Sequence, residues 1–459
     1  MENERLTPDE ITQLISERKL STLRLRLSDT QCADVAELFG ELGEPYYTVL
    51  FRLLPKELAA ETFALLDSDM QKTLIEAFTD RELREVLDQL YMDDTVDLVE
   101  EMPASLVRRI IANSNPSDRD EINRLLRYPK NSAGTVMTTE YVSFKLPMTV
   151  GEALDVIRRV AIDSETIYTC YVTDGNRHLL GIVTAKSLLL SAPETPIEDI
   201  MEDHVISIRT TEGREEAAMQ FRKYDFLAMP VVDNENRLVG IITVDDAIDV
   251  IHEETEEDFA RVSAILPTET PYLRTGIFSL FRSRIPWLLL LMLGATFTGT
   301  IISGFEGQFM AHTQLIVLTA FIPMLMDTGG NSGGQASITV IRGLSLGEVS
   351  FSDFFRVMWK ECRVALLCGS TLAVCNFGKL LLVDRLLMNN PSVTWQVALV
   401  VSLTLLITVI CAKLIGCILP LLARRVHLDP AVVASPVITT IVDAVSLLIY
   451  FTVAMQILL

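Results

Sequence analysis

The sequence predicts a multidomain chain: an all-α superhelical N-terminal domain, an α/β pair of repeats, a connecting helix and a five-helix α transmembrane domain. Three observations predict it. The 459 residues divide unevenly in charge: the first 270 hold 53 of the 61 acids and 27 of the 39 Lys and Arg, near −26, and the rest hold 8 acids and 12 bases, near +4. Runs apolar enough to cross about 30 Å of hydrocarbon occur only after residue 284. The soluble part carries two internal repeats, one with a 12-residue period and one that doubles a strand–turn–strand pattern. The expected boundaries are 1–130, 131–262, 263–284 and 285–459.

In the first segment Leu54, Leu66, Phe78, Leu90 and Met102 recur every 12 residues. Each precedes a residue that opens the next unit: Pro55, Asp67, Thr79, Tyr91 and Pro103. Four of those five suit an N-cap or a first helical turn. Short helices of about one repeat, stacked as a superhelix, are therefore expected. The sequence leaves the hand of that superhelix open.

Residues 137–258 are a duplication. Thr166-Ile167-Tyr168-Thr169-Cys170-Tyr171-Val172-Thr173-Asp174 leads to Leu180-Gly181-Ile182-Val183-Thr184, and Asp225-Phe226-Leu227-Ala228-Met229-Pro230-Val231-Val232-Asp233 leads to Val239-Gly240-Ile241-Ile242-Thr243. A methionine-led strand is expected before each copy, near Met137 and Met201. The pattern closely resembles a CBS-domain pair. That resemblance implies regulatory βαββα modules, which often bind adenine nucleotides such as ATP through a Thr/Ser-x-x-Asp. The second copy offers Thr243 and Asp246. The first reads Thr184-Ala185-Lys186-Ser187 and lacks the acid, which counts against nucleotide binding.

Between the repeats and the apolar half, Pro271 to Phe281 reads as a short amphipathic helix with Leu273, Ile277, Leu280 and Phe281 on one face. It ends at Arg282 and Arg284, at the membrane surface.

Five spans follow, roughly 285–304, 315–341, 364–383, 395–422 and 431–459. Arg274, Arg282, Arg284, Arg342, Arg356, Lys360, Arg363, Arg424 and Arg425 fall on one side, and only Arg385, beside Asp384, on the other. The positive-inside rule puts the first side in the cytoplasm. With no apolar leader after Met1, the acidic half is expected to stay there too. A multi-pass protein of the cell membrane results. The seven cysteines form no Cys-x-x-Cys pair and read as buried hydrophobes in a reducing compartment. Strong acidity argues against nucleic acid as a partner.

Two spans carry oxygen ligands. In the second, Asp327, Asn331 and Gln335 stand at i, i+4 and i+8, on one helix face, among glycines that include Gly330. Pro323, one turn earlier, is expected to weaken the helix. In the fifth, Ser435, Thr439 and Asp443 repeat the spacing. Asp429-Pro430 is its expected entrance, and Pro436 is expected to leave the Val432 carbonyl unbonded. A charge at the bilayer centre costs about 2.5–3.5 kcal/mol, so Asp443 should face a partner or a water-filled path. The competing reading pairs it with Lys379 or Lys413. All these ligands are hard oxygens, which favours Mg²⁺ or Ca²⁺ over zinc or copper.

Acids also cluster in the soluble half: Asp93, Asp94 and Asp97 in the helical repeat, Asp225, Asp245, Asp246 and Asp249 in the second α/β copy, and Glu253, Glu254, Glu256, Glu257 and Asp258 after it. Charge runs are usually solvated faces. As a set before a basic membrane entrance, they read as a reservoir of repulsion that bound cations relieve.

Taken together, this order of domains resembles the MgtE family of magnesium channels and transporters over nearly the whole chain. The specific matches are Pro323-Met324-Leu325-Met326-Asp327-Thr328-Gly329-Gly330-Asn331-Ser332-Gly333-Gly334-Gln335 and Asp429-Pro430-Ala431-Val432-Val433-Ala434-Ser435-Pro436. The resemblance implies a homodimer in the lipid bilayer with its pore on the two-fold axis, and hydrated Mg²⁺ near Asp443 with Asn331 close by. It also implies regulatory Mg²⁺ at Asp93, Asp94, Asp225, Asp246, Asp249, Glu254, Glu257 and Asp258. The expected function is Mg²⁺ uptake, closed by cytosolic Mg²⁺. Two rivals stand: a cation exchanger coupled to H⁺ or Na⁺, marked by dependence of flux on those gradients, and a nucleotide-sensing membrane protein without ion flux. No enzyme is expected, since the five histidines are scattered and no nucleophile–base set is visible.

Overall fold

The computed structural model describes residues 6–161, 164–268, 272, 275–311, 313–426, 428–433 and 435–458. It forms two compact units, Met1–Glu253 and Glu254–Leu459.

The first unit opens with α1 (Pro8–Ser16), α2 (Leu20–Ser28), α3 (Cys32–Leu42), α4 (Glu44–Leu53), α5 (Lys56–Ala64), α6 (Ser68–Ala77), α7 (Asp80–Leu87), α8 (Met92–Glu101), α9 (Ala104–Asn113) and α10 (Pro116–Leu125). The 12-residue period is their spacing. Leu54, Phe78 and Met102 leave the helix in extended conformation, with ψ of 145°, 147° and 147°. Pro55, Asp67, Thr79, Tyr91 and Pro103 are the N-caps that follow, as the sequence predicts. At Thr79 the hydroxyl accepts from the Glu82 amide and the Glu82 carboxylate accepts from the Thr79 amide. Leu54, Leu66, Phe78 and Met102 are buried. The helices stack two places apart, α3 on α5, α4 on α6, α5 on α7, α7 on α9 and α8 on α10. One such layer is filled by the rings of Phe51, Phe63 and Phe78, with centroids 4.9–6.2 Å apart.

A short α11 (Ala133–Val136) leads into two copies of one fold. The first is β1 (Tyr141–Lys145), α12 (Val150–Val160), β2 (Thr166–Thr173), β3 (Leu179–Thr184) and α13 (Ala185–Leu190). The second is β4 (Ile208–Arg209), α14 (Arg214–Tyr224), β5 (Ala228–Val232), β6 (Leu238–Thr243) and α15 (Val244–Val262). In each the middle strand runs parallel to the first and antiparallel to the third.

The segments at Met137 and Met201 are not strands of their own copy. Thr138 bridges to Ile241 of the second copy, and Glu202 bridges to Ile182 of the first. The exchange explains the glycine of each Gly-Ile-(Val/Ile)-Thr. A Cβ on Gly240 would meet the Thr138 carbonyl oxygen at 2.6 Å and Met137 Sδ at 2.8 Å, and one on Gly181 would meet the Glu202 carbonyl oxygen at 2.9 Å and Met201 Sδ at 3.0 Å.

The second unit contains α16 (Ile277–Ala311), α17 (Thr313–Thr319), α18 (Ile322–Ser345), α19 (Phe354–Lys379), α20 (Trp395–Arg425) and α21 (Ser435–Leu458). It departs from expectation in three places. First, Ile277–Phe281 belongs to the same helix as the first span. Pro286 forgoes one backbone bond there, but hydrocarbon penalises any further unpaired backbone group and keeps the helix running. Pro271 and Leu273 lie outside the described residues.

Second, the expected span 315–341 is broken between α17 and α18, and Pro323 sits in the first turn of α18, opening the helix instead of weakening it. Among the described residues four helices are long and apolar enough to cross a membrane: Ile277–Phe305, Phe351–Leu387, Trp395–Arg425 and Pro436–Leu458. α18 is too polar to join them by composition, yet it packs on both α20 and α21. Third, Asp429-Pro430 does not start the last helix. Pro430–Val433 is a separate 3₁₀ turn, and Pro436 lies in the first turn of α21, where its missing N–H costs little.

Candidate functional site

Two groups of side chains remain once packing is accounted for, one in each unit. In the soluble unit, carboxylates converge from four elements. Asp93 and Asp94 occupy the first turn of α8, where the helix N-terminus favours anions. Glu140 directly precedes β1 and accepts hydrogen bonds from the Met92 amide (2.9 Å) and the Thr138 hydroxyl (3.2 Å). Glu165 directly precedes β2. Because Tyr141 pairs with Thr166 in the parallel ladder, Glu140 and Glu165 stand side by side, joined by a 2.8 Å backbone bond. Asp246 lies in the first turn of α15, where its carboxylate accepts from the Thr243 hydroxyl at 2.6 Å.

Carboxylate oxygens of Asp93, Glu140 and Glu165 all lie within 4.8 Å of one another. Asp93 is buried, and one Glu165 oxygen is buried without a hydrogen-bond partner. Burial and then the charge of Asp246 push three of these carboxyls upward, Asp93 well above the usual carboxylate range, Asp94 to about 7 and Glu165 to about 8, and burial also raises Glu140 against its two hydrogen bonds. Asp246 itself is pushed to about 6 by burial, against the pull of its Thr243 bond. Three carboxylates at this spacing repel by about 3.5 kcal/mol per ionised pair at an effective dielectric near 20. A bound divalent cation would offset that cost. The all-oxygen donor set and the unbonded Glu165 oxygen fit a hard cation such as Mg²⁺, which Asp93, Glu140 and Glu165 would hold.

Sequence reading found Asp93, Asp94 and Asp246 but missed Glu140 and Glu165. The available signal was that each precedes a strand of one parallel pair. The other acids lie at its edge or away from it. Asp97, one turn along α8, and Asp245, just before Asp246 on α15, are exposed at that edge, and the charge of Asp245 still raises Asp94 and Glu165. Asp225 occupies a left-handed position (φ 55°) that ends α14. Asp249 lies further along α15, near Glu253. Thr184, the counterpart of Thr243, meets Ser187 at 2.9 Å, so only the second copy has the Thr–Asp pair.

In the second unit α18 has two faces. Gly329, Gly330, Ser332, Gly333, Gly334, Ala336 and Ser337 are buried, whereas Asp327, Asn331 and Gln335 are exposed. The Asn331 amide donates to Asp327 at 3.1 Å. Small residues permit the buried side: a Cβ on Gly330 would meet Thr439 at 3.0 Å, and one on Gly416 would clash with the Gly333 backbone. α21 thus lies against α18, with Asp443 half-buried and within electrostatic reach of Asp327. Thr439 donates its hydroxyl to the Pro436 carbonyl (2.8 Å). The Ser435 side chain lies outside the described residues. Lys379 pairs with Asp384 at 3.0 Å, and Lys413 is buried in α20; neither forms an ion pair with Asp443 among the described residues.

The Ser345 end of α18 and the segment before α21 meet the end of α15. Asp258 accepts from the Ser345 hydroxyl at 3.2 Å, and Arg261 pairs with both Glu257 and Asp429.

Comparison with known proteins agrees with this layout. The divalent cation transporter domain MgtE matches residues 322–453, the MgtE intracellular N domain 30–131, and CBS domains 133–194 and 197–253. The chain is 37% identical over 453 residues to the magnesium transporter MgtE of Thermus thermophilus, covering 97% of each chain. It is 32% identical over 445 residues to that of Bacillus subtilis, covering 96% of this chain and 95% of the relative. The cytosolic domain of the Mg²⁺ channel MgtE in complex with ATP superposes with TM-score 0.51 at 36% identity, over 53% of this chain and 100% of that one. The soluble part of a magnesium transporter gives 0.50 at 30% identity, over 54% and 97%.

Proposed function

Because the chain belongs to the MgtE family of magnesium transporters, we propose that it is a membrane pathway for Mg²⁺ uptake closed by cytosolic Mg²⁺ at its acidic soluble unit. The observation that carries the pathway is the exposed stripe of Asp327, Asn331 and Gln335 on a helix whose other face is buried. Hydrocarbon cannot solvate such a stripe. A second copy related by a two-fold axis would cover it and enclose a polar path lined twice by the same residues. Asp443 supplies charge, while Asn331, Gln335 and Thr439 offer neutral oxygens, so the cation keeps most of its water. Inward movement of two charges gains about 4.6 kcal/mol per 100 mV, so uptake needs no nucleotide hydrolysis.

Closure follows from the Asp93–Glu140–Glu165 cluster, which joins the helical repeat to the α/β pair. Without metal, its mutual repulsion favours separation of the two. Bound Mg²⁺ reverses the sign and favours the compact form. A ligand moves such an equilibrium only by its differential affinity, and a change from 1:99 to 99:1 needs about 5.5 kcal/mol, which several modest sites supply jointly. ATP is a second candidate ligand, supported by the Thr243–Asp246 pair.

The test is Mg²⁺ flux into liposomes, with cytoplasmic-face Mg²⁺ varied and Asp443→Ala as the comparison. Flux should fall as that Mg²⁺ rises, beyond the loss of gradient, and should collapse in the variant. Flux indifferent to the substitution would make Asp443 a packing residue.

A further inference from the structure

Arg261 stands where the regulatory reading expects metal. It lies in the last turn of α15 and pairs with Glu257, one turn earlier, and with Asp429, which precedes the turn leading to α21. Asp429 is also tied to that turn, accepting from the Ala431 amide at 2.8 Å. Beside them Asp258 holds the last residue of α18 through Ser345. Burial pushes the Asp258 carboxyl up, the charges of Asp429 and Glu257 add to this, and Arg261 opposes it. Three carboxylates and one guanidinium therefore share the point where the soluble helix meets the Ser345 end of α18 and the segment before α21, the two helices that carry the polar path.

We propose that Arg261 is an internal cation that occupies Glu257 and Asp429 in place of Mg²⁺, so that the metal must displace it to bridge α15 to the entrance of α21. The inference rests on the regulatory reading above, in which Mg²⁺ closes the path. The guanidinium presents a planar fork of donors and cannot lose its proton, so it holds carboxylates at any physiological pH. It brings one charge where Mg²⁺ brings two, so three carboxylates left at net −2 still attract metal. The arginine thereby does two things. At low Mg²⁺ it keeps the junction from flying apart, and it raises the Mg²⁺ concentration needed to clamp it. Both side chains of the Arg261–Asp429 pair are about one-third exposed. A pair at that exposure contributes on the order of 1 kcal/mol, or about fivefold in competing affinity.

The experiment uses full-length protein in nanodiscs. Hydrogen exchange over residues 254–262 is followed against Mg²⁺ concentration, for wild type, Arg261→Gln, Arg261→Lys and Asp429→Asn. Arg261→Gln should lower the midpoint of Mg²⁺-induced protection about fivefold while speeding exchange in EDTA. Arg261→Lys should stay close to wild type, and Asp429→Asn should raise the midpoint. A midpoint in Arg261→Gln that is unchanged or raised, with wild-type protection intact, overturns the competition and leaves the regulatory reading standing. Absence of Mg²⁺-dependent protection in wild type would instead overturn that reading, and the competition with it.

Discussion

Glu165→Gln should stabilise the metal-free protein and destabilise the metal-bound one. The carboxylate oxygens of Glu165, Asp93 and Glu140 approach within 4.8 Å, and one Glu165 oxygen has no hydrogen-bond partner. At an effective dielectric near 20 each ionised pair at that distance costs about 3.5 kcal/mol. Proton sharing and partial exposure reduce the gain from removing one member to about 2 kcal/mol at roughly pH 8.5, where Glu165, at about 8, is mostly ionised. Hydrogen exchange of the α8 amides reads this directly, since about 2 kcal/mol is about 30-fold in opening. In EDTA the variant should exchange about 30-fold more slowly than wild type. In saturating Mg²⁺ it should exchange faster, because a ligand is gone. Faster exchange by the same factor in both conditions would refute the reasoning, since it would mean that Glu165 is a structural hydrogen-bonding group and not one member of a repelling set.

Two further outcomes follow from the same geometry. Asp94, Asp246 and Glu165 bind protons more tightly folded than unfolded, so the metal-free soluble unit should be most stable in acid and lose stability as pH rises from the ordinary carboxylate range through about 8. Melting in EDTA across that window checks it; Mg²⁺ should flatten the decline, and a rise in stability would contradict it. In the membrane unit Gly416→Ala forces a Cβ into the Gly333 backbone and should cost about 1–3 kcal/mol by overpacking. Gly299→Ala, with open space around it, should be neutral, and melting of the two variants in detergent separates them.

The fold was legible wherever local chemistry and packing ask for the same thing. The 12-residue period was readable because each unit needs both an apolar residue leaving the helix and a residue able to cap the next, and Leu54-Pro55 or Phe78-Thr79 supply both at once. The strands of the two α/β copies were readable from alternation and from the shared Gly-Ile-(Val/Ile)-Thr. Their exchange of the Met137 and Met201 segments was not, because a single antiparallel bridge has no periodicity. Only Gly181 and Gly240 mark it, and a glycine does not say whose backbone comes close. The membrane half misled for a related reason. Hydropathy sums over a window and cannot tell proline at a helix start from proline within one, so Pro323 read as weakening a helix and Pro436 as freeing a carbonyl inside one, where both lie in first turns.

The acidic site shows a different limit. Asp93, Asp94 and Asp246 stood out because they lie among clustered acids, and the same reading led equally to Asp245, exposed at the edge of the site, to Asp249 further along α15, and to Asp225, which ends α14. Glu140 and Glu165 are isolated in sequence, yet they complete the cluster. What brings them together is the register of one parallel pair: Tyr141 faces Thr166, so the residues just before each strand become neighbours across 25 positions of chain. Local charge density therefore measures repulsion that water screens, whereas the repulsion that metal relieves is set by strand pairing and burial. In such a protein the acids to test first are those whose neighbours in sequence are apolar or uncharged and whose neighbours in space are not.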